Sequence, residues 1–555
     1  MTAVIVAVVM AIAWFAAAAA TIAAGRPQPL ADAPEGRLDC LSYAPFRKPG
    51  ETPFDPAAYV SRERIAEDLR LLSARTSCVR TYSVDQGLDA VPEVAASLGM
   101  QVLLGAWLSR DRVLNRVELE RAIALAREHG DTVRALIVGN EVLLRRELPE
   151  RELKEALDHA RSQAGVPVTY ADVWEFWLEH PRLVDAVDFV TIHILPYWED
   201  EPVGIDQAVE HVRAIYRRAE AALGGAPGGR HTMLIGETGW PSAGRSREEA
   251  RPGVVEQARF LREFVAMAQA EKIPYNLIEA FDQPWKARLE GAMGAHWGVF
   301  DSAGEPKFPW QGPVVARPGW RAELGWSVVG ALAFAGLGFA FGRRGSLPAQ
   351  AFAGGATTLL LLAQWRYLQD WNRDAIEWAA TLPFLLASAP LAWLAVDSTL
   401  ADSANALRES SSDAEPPRDA VRAIAEPIAA VRGRRTLDTL RMLFLFGAAV
   451  NIVLLVFDAR YRGFPLSFFA VPAAVELLRL GCSRLRSSVV SAEARLLAAI
   501  VAGGSLAVAV FEGAANSEAM AYCGLMLVYA LARIDFRLLR SNARAASTVP
   551  TADGS

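Results

Sequence analysis

The feature that most constrains this chain is a series of eight short apolar runs, set at regular intervals through its first 281 residues. They are DCLSYAP (39–45), CVRTYS (78–83), QVLLGAW (101–107), ALIVGNE (135–141), PVTYAD (167–172), DFVTIHIL (188–195), TMLIGET (232–238) and YNLIEAF (275–281). Short apolar runs of this kind, bounded by polar segments, read as strands buried on both faces. Between most of them lie amphipathic stretches at 61–75, 116–129, 150–163, 206–222 and 255–271, with apolar residues at three- and four-residue spacing. Gly130, Gly165 and Gly224-Gly225 follow helical patterns and mark stops. Eight strands with crossover helices in roughly 270 residues predict an α/β fold of the (β/α)8 TIM-barrel class. The alternative, an open doubly wound sheet, calls for a Gly-rich nucleotide-binding first turn that the sequence lacks.

Composition divides the 555 residues in two. Residues 30–315 have the mixed texture of a globular domain, whereas 325–540 are dominated by runs of Ala, Leu, Val, Phe and Gly. The second region predicts an all-α transmembrane domain of about seven spans, near 325–342, 348–365, 376–396, 441–457, 464–481, 493–511 and 517–534, followed by a polar tail at 541–555. The polar 402–438 segment reads as a flexible connection, and Glu476 and Glu512 are the few intramembrane charges. So sparse a set suits an anchor or assembly surface better than a substrate pathway. Residues 1–25 form an N-terminal segment whose apolar stretch, 3–24, is long enough to span a bilayer. Ala23-Ala24-Gly25 would allow signal cleavage, but the basic n-region is missing and an uncleaved anchor is favoured.

Arg343-Arg344, the Arg-rich 408–441 segment, Arg484/Arg486 and Arg537/Arg540 fall on alternate sides of these spans and are assigned to the cytoplasm. Arg366, Arg373, Arg460 and Arg462 on the opposite side make that bias incomplete. The 30–315 domain then faces a periplasm or the cell exterior, and the lipid bilayer is a partner. A net charge of -6 gives no argument for nucleic acid. Cys40 and Cys78 read most simply as buried apolar residues, with a disulfide between them as the less favoured alternative, and Cys482 and Cys523 lie at or inside spans; without CxxC or a His/Cys cluster there is no zinc signature.

In a βα-barrel the catalytic groups stand at the carboxyl ends of the strands. Glu141 closes the fourth run and Glu237 the seventh. Two carboxylates converging across a barrel mouth suit the acid/base and nucleophile of a glycosidase, about 5–5.5 Å apart for retention and farther apart for inversion. The acid must be protonated at rest, through burial or a like-charged neighbour. Asn140, next to Glu141, is suited to donate to a sugar 2-hydroxyl. A single strand-end glutamate is more often a capping or salt-bridged group; the pairing on these two strands reverses that weighting.

GNE (139–141), GETGWPS (236–242), VRTYS (79–83) and HWGVFD (296–301) resemble glycoside hydrolase family 17. SYAPFR (42–47), HILPYWE (193–199) and EAFDQPWK (279–286) resemble its bacterial membrane-anchored branch of β-glucan transferases and laminarinase-like enzymes. The resemblance covers about 38–310 and implies a retaining barrel acting on β-1,3-glucan, with Glu141 as acid/base, Glu237 as nucleophile, and no cofactor or metal. It further implies substrate-binding roles for Asn140, Arg80, Tyr82, His193, Tyr197, Trp240, Trp285, Lys286 and Glu290. Arg80 would also hold the Glu237 carboxylate, Trp198 would join the strand-six contacts, and one or two of Trp240, Trp285 and Trp297 would stack on sugar. Gln283 departs from the family's glutamate and puts acceptor preference in question.

Hydrolysis and transglycosylation use the same residues. Fusion to a multi-span region favours remodelling or branching of periplasmic β-glucan at a bacterial inner membrane, with a membrane glucan synthase as partner. A purely hydrolytic endo-β-1,3-glucanase is the alternative. A non-catalytic glucan-binding protein would have lost a carboxylate, and both are present.

Overall fold

The computed structural model describes residues 2–224, 232–409, 420–459, 461–481 and 491–533. Gly225, Arg460, Cys482, Arg484, Arg486, Arg537, Arg540 and the tail at 541–555 lie outside the described residues. The strands are β1 (Cys40–Ser42), β2 (Cys78–Arg80), β3 (Gln101–Ala106), β4 (Val133–Asn140), β5 (Val168–Val173), β6 (Val190–His193), β7 (Met233–Thr238) and β8 (Tyr275–Leu277). The helices of the first part of the chain are α1 (Thr2–Ala24), α2 (Arg62–Ser73), α3 (Val91–Ser97), α4 (Arg112–Glu128), α5 (Glu150–Gln163), α6 (Trp174–Glu179), α7 (Ile205–Leu223), α8 (Val254–Glu271) and α9 (Ala287–Glu290). There follow α10 (Trp320–Ala340), α11 (Leu347–Trp371), α12 (Ala375–Glu409), α13 (Ala420–Phe457), α14 (Leu466–Gly481), α15 (Ala492–Glu512) and α16 (Ser517–Leu531). The chain divides into two compact units, Pro27–Ala316 on one hand and Met1–Arg26 with Arg317–Ser555 on the other.

In the first unit the eight strands pair in sequence order, all parallel, and β8 closes on β1. Side chains alternate across each strand. Leu103, Ala135, Ile137, Ala171 and Leu234 therefore form one cluster inside the barrel, while Val102, Leu104, Leu136, Val138, Ile192 and Ile235 belong to the larger core under the helices. Ser61 and Asp111 start α2 and α4 by accepting backbone N–H groups of Arg64 and of Val113 and Leu114. Each such cap is worth about 1 kcal/mol. The eighth run is strand only as far as Leu277: beyond it the Ile278–Glu279 peptide is cis, Ala280 N–H donates to Ser42 O at 2.8 Å, and Phe281 bridges to Phe300.

One expectation is overturned here. Cys40 and Cys78 are not separate thiols but a disulfide, with Cα atoms 4.4 Å apart. The register Leu41↔Val79 puts the two cysteines beside each other at the entrance of adjacent strands, within bonding range. A separation of 38 residues carries no information about that register.

In the second unit six helices among the described residues are long and apolar enough to cross a membrane: 3–24, 320–340, 344–371, 375–401, 433–457 and 492–512. The expected spans at 464–481 and 517–534 are the shorter α14, with 16 residues and Pro472 inside it, and α16, with 15 residues. The segment expected as a flexible connection is instead largely helical, since α12 runs to Glu409 and α13 begins at Ala420. Its many Ala, Arg and Glu residues are strong helix formers, which outweighs its polarity. Small residues allow close crossings: a side chain on Gly330 or Gly354 would strike the facing helix of the α10–α11 pair, and one on Gly355 would strike the Trp14 ring of α1. Glu476 is fully buried and takes both guanidinium nitrogens of Arg441 at 2.7 and 2.8 Å and Arg533 at 2.8 Å. This paired cluster ties α13, α14 and the end of α16 together.

Candidate active site

Glu141 follows β4 through an unusual turn. Gly139 has φ 84°, and Glu141 itself has φ 51°, a left-handed conformation rare for a residue with a side chain. Glu141 N–H is held by Ala171 O at 2.7 Å, and such local strain persists where neighbours over-determine it. The turn brings the Glu141 carboxylate, 22% exposed, to the end of the barrel where β7 delivers Glu237. Glu237 is only 4% exposed. One oxygen of Glu141, one ring nitrogen of His193 and one oxygen of Glu237 all lie within 4.8 Å of one another.

Arg80, at the end of β2 and 1% exposed, organises the floor. Its Nη1 donates to Gly236 O at 2.7 Å and to Glu237 Oε1 at 3.2 Å, and its Nη2 donates to Asn140 Oδ1 at 2.5 Å. A guanidinium only donates, so the amide oxygen of Asn140 must face it and the Asn140 NH2 is left free. Tyr82 O–H donates to Glu237 Oε1 at 2.8 Å and sits 2.8 Å from Ser42 Oγ, to which Asn276 Nδ2 donates at 2.8 Å. Burial, reinforced by the Glu237 charge, raises the Tyr82 hydroxyl well above its ordinary value, so it remains a donor. The same Glu237 oxygen faces a fixed positive charge, which disfavours a cation between Glu141, His193 and Glu237 despite their spacing.

Several residues expected to touch substrate are buried or hydrogen-bonded to protein groups. His193 is 1% exposed and stands between the carboxylates, with Nδ1 3.1 Å from Glu141 Oε1 and Nε2 3.7 Å from Glu237 Oε1. Tyr82, partly exposed, gives its hydroxyl proton to Glu237. Tyr197 is fully buried: its hydroxyl donates to Arg245 O, and its ring packs against Trp198, Trp240 and Trp297. Trp240, also fully buried, donates Nε1–H to Arg251 O at 2.9 Å and packs on Phe260, and Trp297 is 4% exposed. Aromatic pairs of this kind are worth about 0.5–1.5 kcal/mol each beyond their area burial. Of the three tryptophans expected as stacking platforms, Trp285 is the one partly exposed, with Phe54 edge-on at 5.5 Å.

Gln283 explains how the Trp285 ring is held. It is fully buried; Nε2 donates to Ala44 O at 2.6 Å and Oε1 accepts Trp285 Nε1–H at 2.8 Å. Gln283 therefore positions Trp285 and has no exposed surface with which to meet an acceptor. Lys286 Nζ is 2.8 Å from both oxygens of Glu279, a buried carboxylate that sequence reasoning passed over inside the EAFDQPWK motif. Burial pushes Glu279 up to about 7, against the pull of Lys286. Glu290 is likewise pushed up to about 7 by burial, opposed by Lys286 and reinforced by the charges of Glu141 and Glu237. Glu141 itself behaves otherwise than expected for a resting acid. Burial raises it, but the His193 hydrogen bond and the charges of Arg145 and Arg80 outweigh that and leave it below the ordinary carboxylate value. Ser42, Asn276 and Asp172 were also missed; each ends or lines a strand whose pattern marked only the strand.

Comparison with known proteins places this geometry. Residues 40–298 match the BtgE/BtgC glycoside hydrolase domain. A glucan 1,3-beta-glucosidase of Saccharomyces cerevisiae is 24% identical over 268 residues, which cover 43% of this chain and 82% of that protein. A glucan 1,3-beta-glucosidase of Schizosaccharomyces pombe is 29% identical over 234 residues, 40% of this chain and 72% of that protein. Both relatives are fungal. The solved glycoside hydrolase family 17 β-1,3-glucanosyltransferase of Rhizomucor miehei aligns with 24% identity and a TM-score of 0.43, over 50% of this chain and 98% of that one. Strands that deliver paired glutamates to one barrel mouth, and a domain match spanning all eight of those strands, identify the Pro27–Ala316 unit as carrying a glycoside hydrolase domain, and the chain as a glycosidase.

Proposed function

We propose that this chain is a retaining glycosidase that cleaves β-1,3-glucan and passes the glucosyl unit to a second glucan hydroxyl. The observation that carries the reading is the division of labour around Glu237: Oε1 accepts both Arg80 and Tyr82, which leaves Oε2 for attack. Glu237 attacks the anomeric carbon as the glycosidic C–O bond breaks, and Glu141 gives its proton to the leaving oxygen. Glu141, now ionised, takes the proton of an incoming hydroxyl, whose oxygen displaces Glu237 and restores both groups. The approach of Glu141 and Glu237 oxygens within 4.8 Å suits this double displacement; inversion needs roughly 6.5–9.5 Å between the carboxyls for an intervening water. Asn140, with its amide NH2 free beside Glu141, is suited to hold the sugar 2-hydroxyl.

The substrate class rests on the names of the fungal relatives, both glucan 1,3-beta-glucosidases. The Cys40–Cys78 disulfide supports maturation in an oxidising compartment, and the six apolar helices support attachment to a bilayer. Together these favour remodelling of glucan at the outer face of a membrane, periplasmic in a bacterium, alongside a glucan synthase. The test is to incubate the full chain in detergent micelles with reduced laminari-oligosaccharides and follow products by mass spectrometry, with Glu237→Gln as control. Products longer than the donor, absent in the variant, are expected. Only shorter products would make the enzyme a plain endo-β-1,3-glucanase, and an inactive wild type would overturn the assignment.

A further inference from the structure

His193 is a fully enclosed imidazole whose two nitrogens each face one of the two site carboxylates. Its place is built into the sheet. It ends β6, and the neighbouring Gly236 of β7 must lack a side chain because a Cβ there would meet Thr191 Cγ2 at 2.5 Å and His193 Cδ2 at 3.1 Å. The glycine of the GETGW motif is thus the complement of the histidine beside it.

The tautomer follows from the partners. Arg80 Nη1 lies 3.4 Å from His193 Nε2, and a guanidinium has no lone pair to offer. A fixed positive charge that close disfavours a proton on Nε2, which puts the ring proton on Nδ1, and Nδ1–H points at Glu141 Oε1, 3.1 Å away. We propose that His193 is a positioning residue that holds Glu141 in its ionised, proton-accepting state through Nδ1–H, with Arg80 fixing the tautomer. This rests on the assignment of Glu141 as the acid/base.

The Arg145 and Arg80 charges act alongside that donor, and the neighbouring carboxylates act against it. Arg80 reaches from β2, Arg145 from the loop after β4, Tyr170 and Asp172 from β5, Glu237 from β7 and Glu290 from the segment after β8. Of these, Asp172, Glu237 and Glu290 oppose ionisation of Glu141, and Tyr170 turns its hydroxyl to Asp172. Arg145 lies over the Trp107 ring at 4.1 Å. In the free enzyme the histidine thus prepares the second half of the reaction, in which Glu141 takes a proton from the acceptor hydroxyl. The first half draws on the protonated fraction, so turnover falls as pH rises.

The experiment is the pH profile of kcat/KM for laminari-oligosaccharides, measured on the full chain in detergent micelles for wild type, His193→Leu, His193→Asn and Glu141→Gln. An asparagine amide overlays the Nδ1 position and keeps the donor; leucine removes it. Loss of a donor to an ionised carboxylate moves its protonation upward by about one pH unit. The alkaline limb is expected to shift up by about that much in His193→Leu and to stay near wild type in His193→Asn. An unmoved limb in His193→Leu, a downward shift, or an asparagine variant that shifts with the leucine one would overturn the proposal. If His193→Leu does not fold, His193→Gln, whose amide reaches only the Nε2 position, takes its place. Wild-type turnover by Glu141→Gln would instead overturn the acid/base assignment.

Discussion

Arg80→Met gives the most direct test of how the active site is held together. Arg80 and Glu237 side chains are 1% and 5% exposed, so water compensates little for the loss of either. The guanidinium also satisfies Gly236 O and Asn140 Oδ1. Methionine fills much of the volume but leaves the Glu237 carboxylate buried with Tyr82 as its remaining hydrogen-bond donor. Breaking a buried pair from one side costs about 3–5 kcal/mol, a large share of a stability of about 5–15 kcal/mol. At roughly 2–4 °C per kcal/mol for a domain of this order of size, the barrel transition should fall by about 10 °C. The assay is thermal unfolding of the full chain in micelles, followed by near-UV circular dichroism of the barrel tryptophans. The decisive arm is the double variant Arg80→Met/Glu237→Gln. Because the penalty comes from an uncompensated charge, neutralising Glu237 should return about 2 kcal/mol or more of what Arg80→Met removed. If Glu237→Gln is no more stabilising in the Arg80→Met background than in wild type, the ion pair is not what holds these strands, and the reasoning is wrong.

Other outcomes follow from the same geometry. Glu279 and Glu290 are pushed up to about 7 from an ordinary value of 4.5, so their contribution is fully present below pH 4.5 and is lost as pH rises through about 7. The barrel should therefore melt at a lower temperature at pH 7.5 than at pH 5, and Glu290→Gln should reduce that difference; an unchanged slope would contradict the reading. Reducing the Cys40–Cys78 bond, which closes a 38-residue loop, should cost about 4 kcal/mol by the loop-entropy relation. A denaturation midpoint indifferent to reductant would refute it. Gln283→Leu frees the Trp285 indole and strips Ala44 O of its donor. It should raise KM for longer oligosaccharides several-fold more than KM for short ones, with about 1–3 kcal/mol lost in stability; equal effects on both would mean Trp285 is not a platform.

Much of the architecture was legible because burial writes itself into the chain locally. A strand covered on both faces must be apolar along its length, and a helix on the barrel exterior must be apolar on one side, so eight runs and five amphipathic stretches stand out before any contact is known. The helices α3 and α6 were not legible, at seven and six residues, because so short a segment shows barely two turns of any period. The 402–438 segment misled in the opposite direction: polarity ruled out a span, but it says nothing against a helix, and α12 and α13 continue into it. Glu141 and Glu237 were legible because a carboxylate ending an apolar run must either emerge at a strand edge or be buried at high cost.

The roles of the residues around them were not legible, and the reason is geometric. Tyr197, Trp240 and Trp285 are all aromatic residues in loops after strands, and nothing local distinguishes two that close a core from one held out by a buried glutamine. His193 could be read as a sugar ligand until the register of β6 and β7 paired it with Glu237 and set its ring between two carboxylates. The cysteines likewise became a disulfide only through the pairing of β1 with β2. By itself the sequence determined the number and order of the barrel strands, most of the apolar helices and the strand-end positions of the two glutamates, because these depend on periodicity and composition. Which polar group faces which depends on contacts between residues from 38 to more than 150 positions apart, such as Cys40 with Cys78 and Arg80 with Glu237, and only the closed barrel decided those.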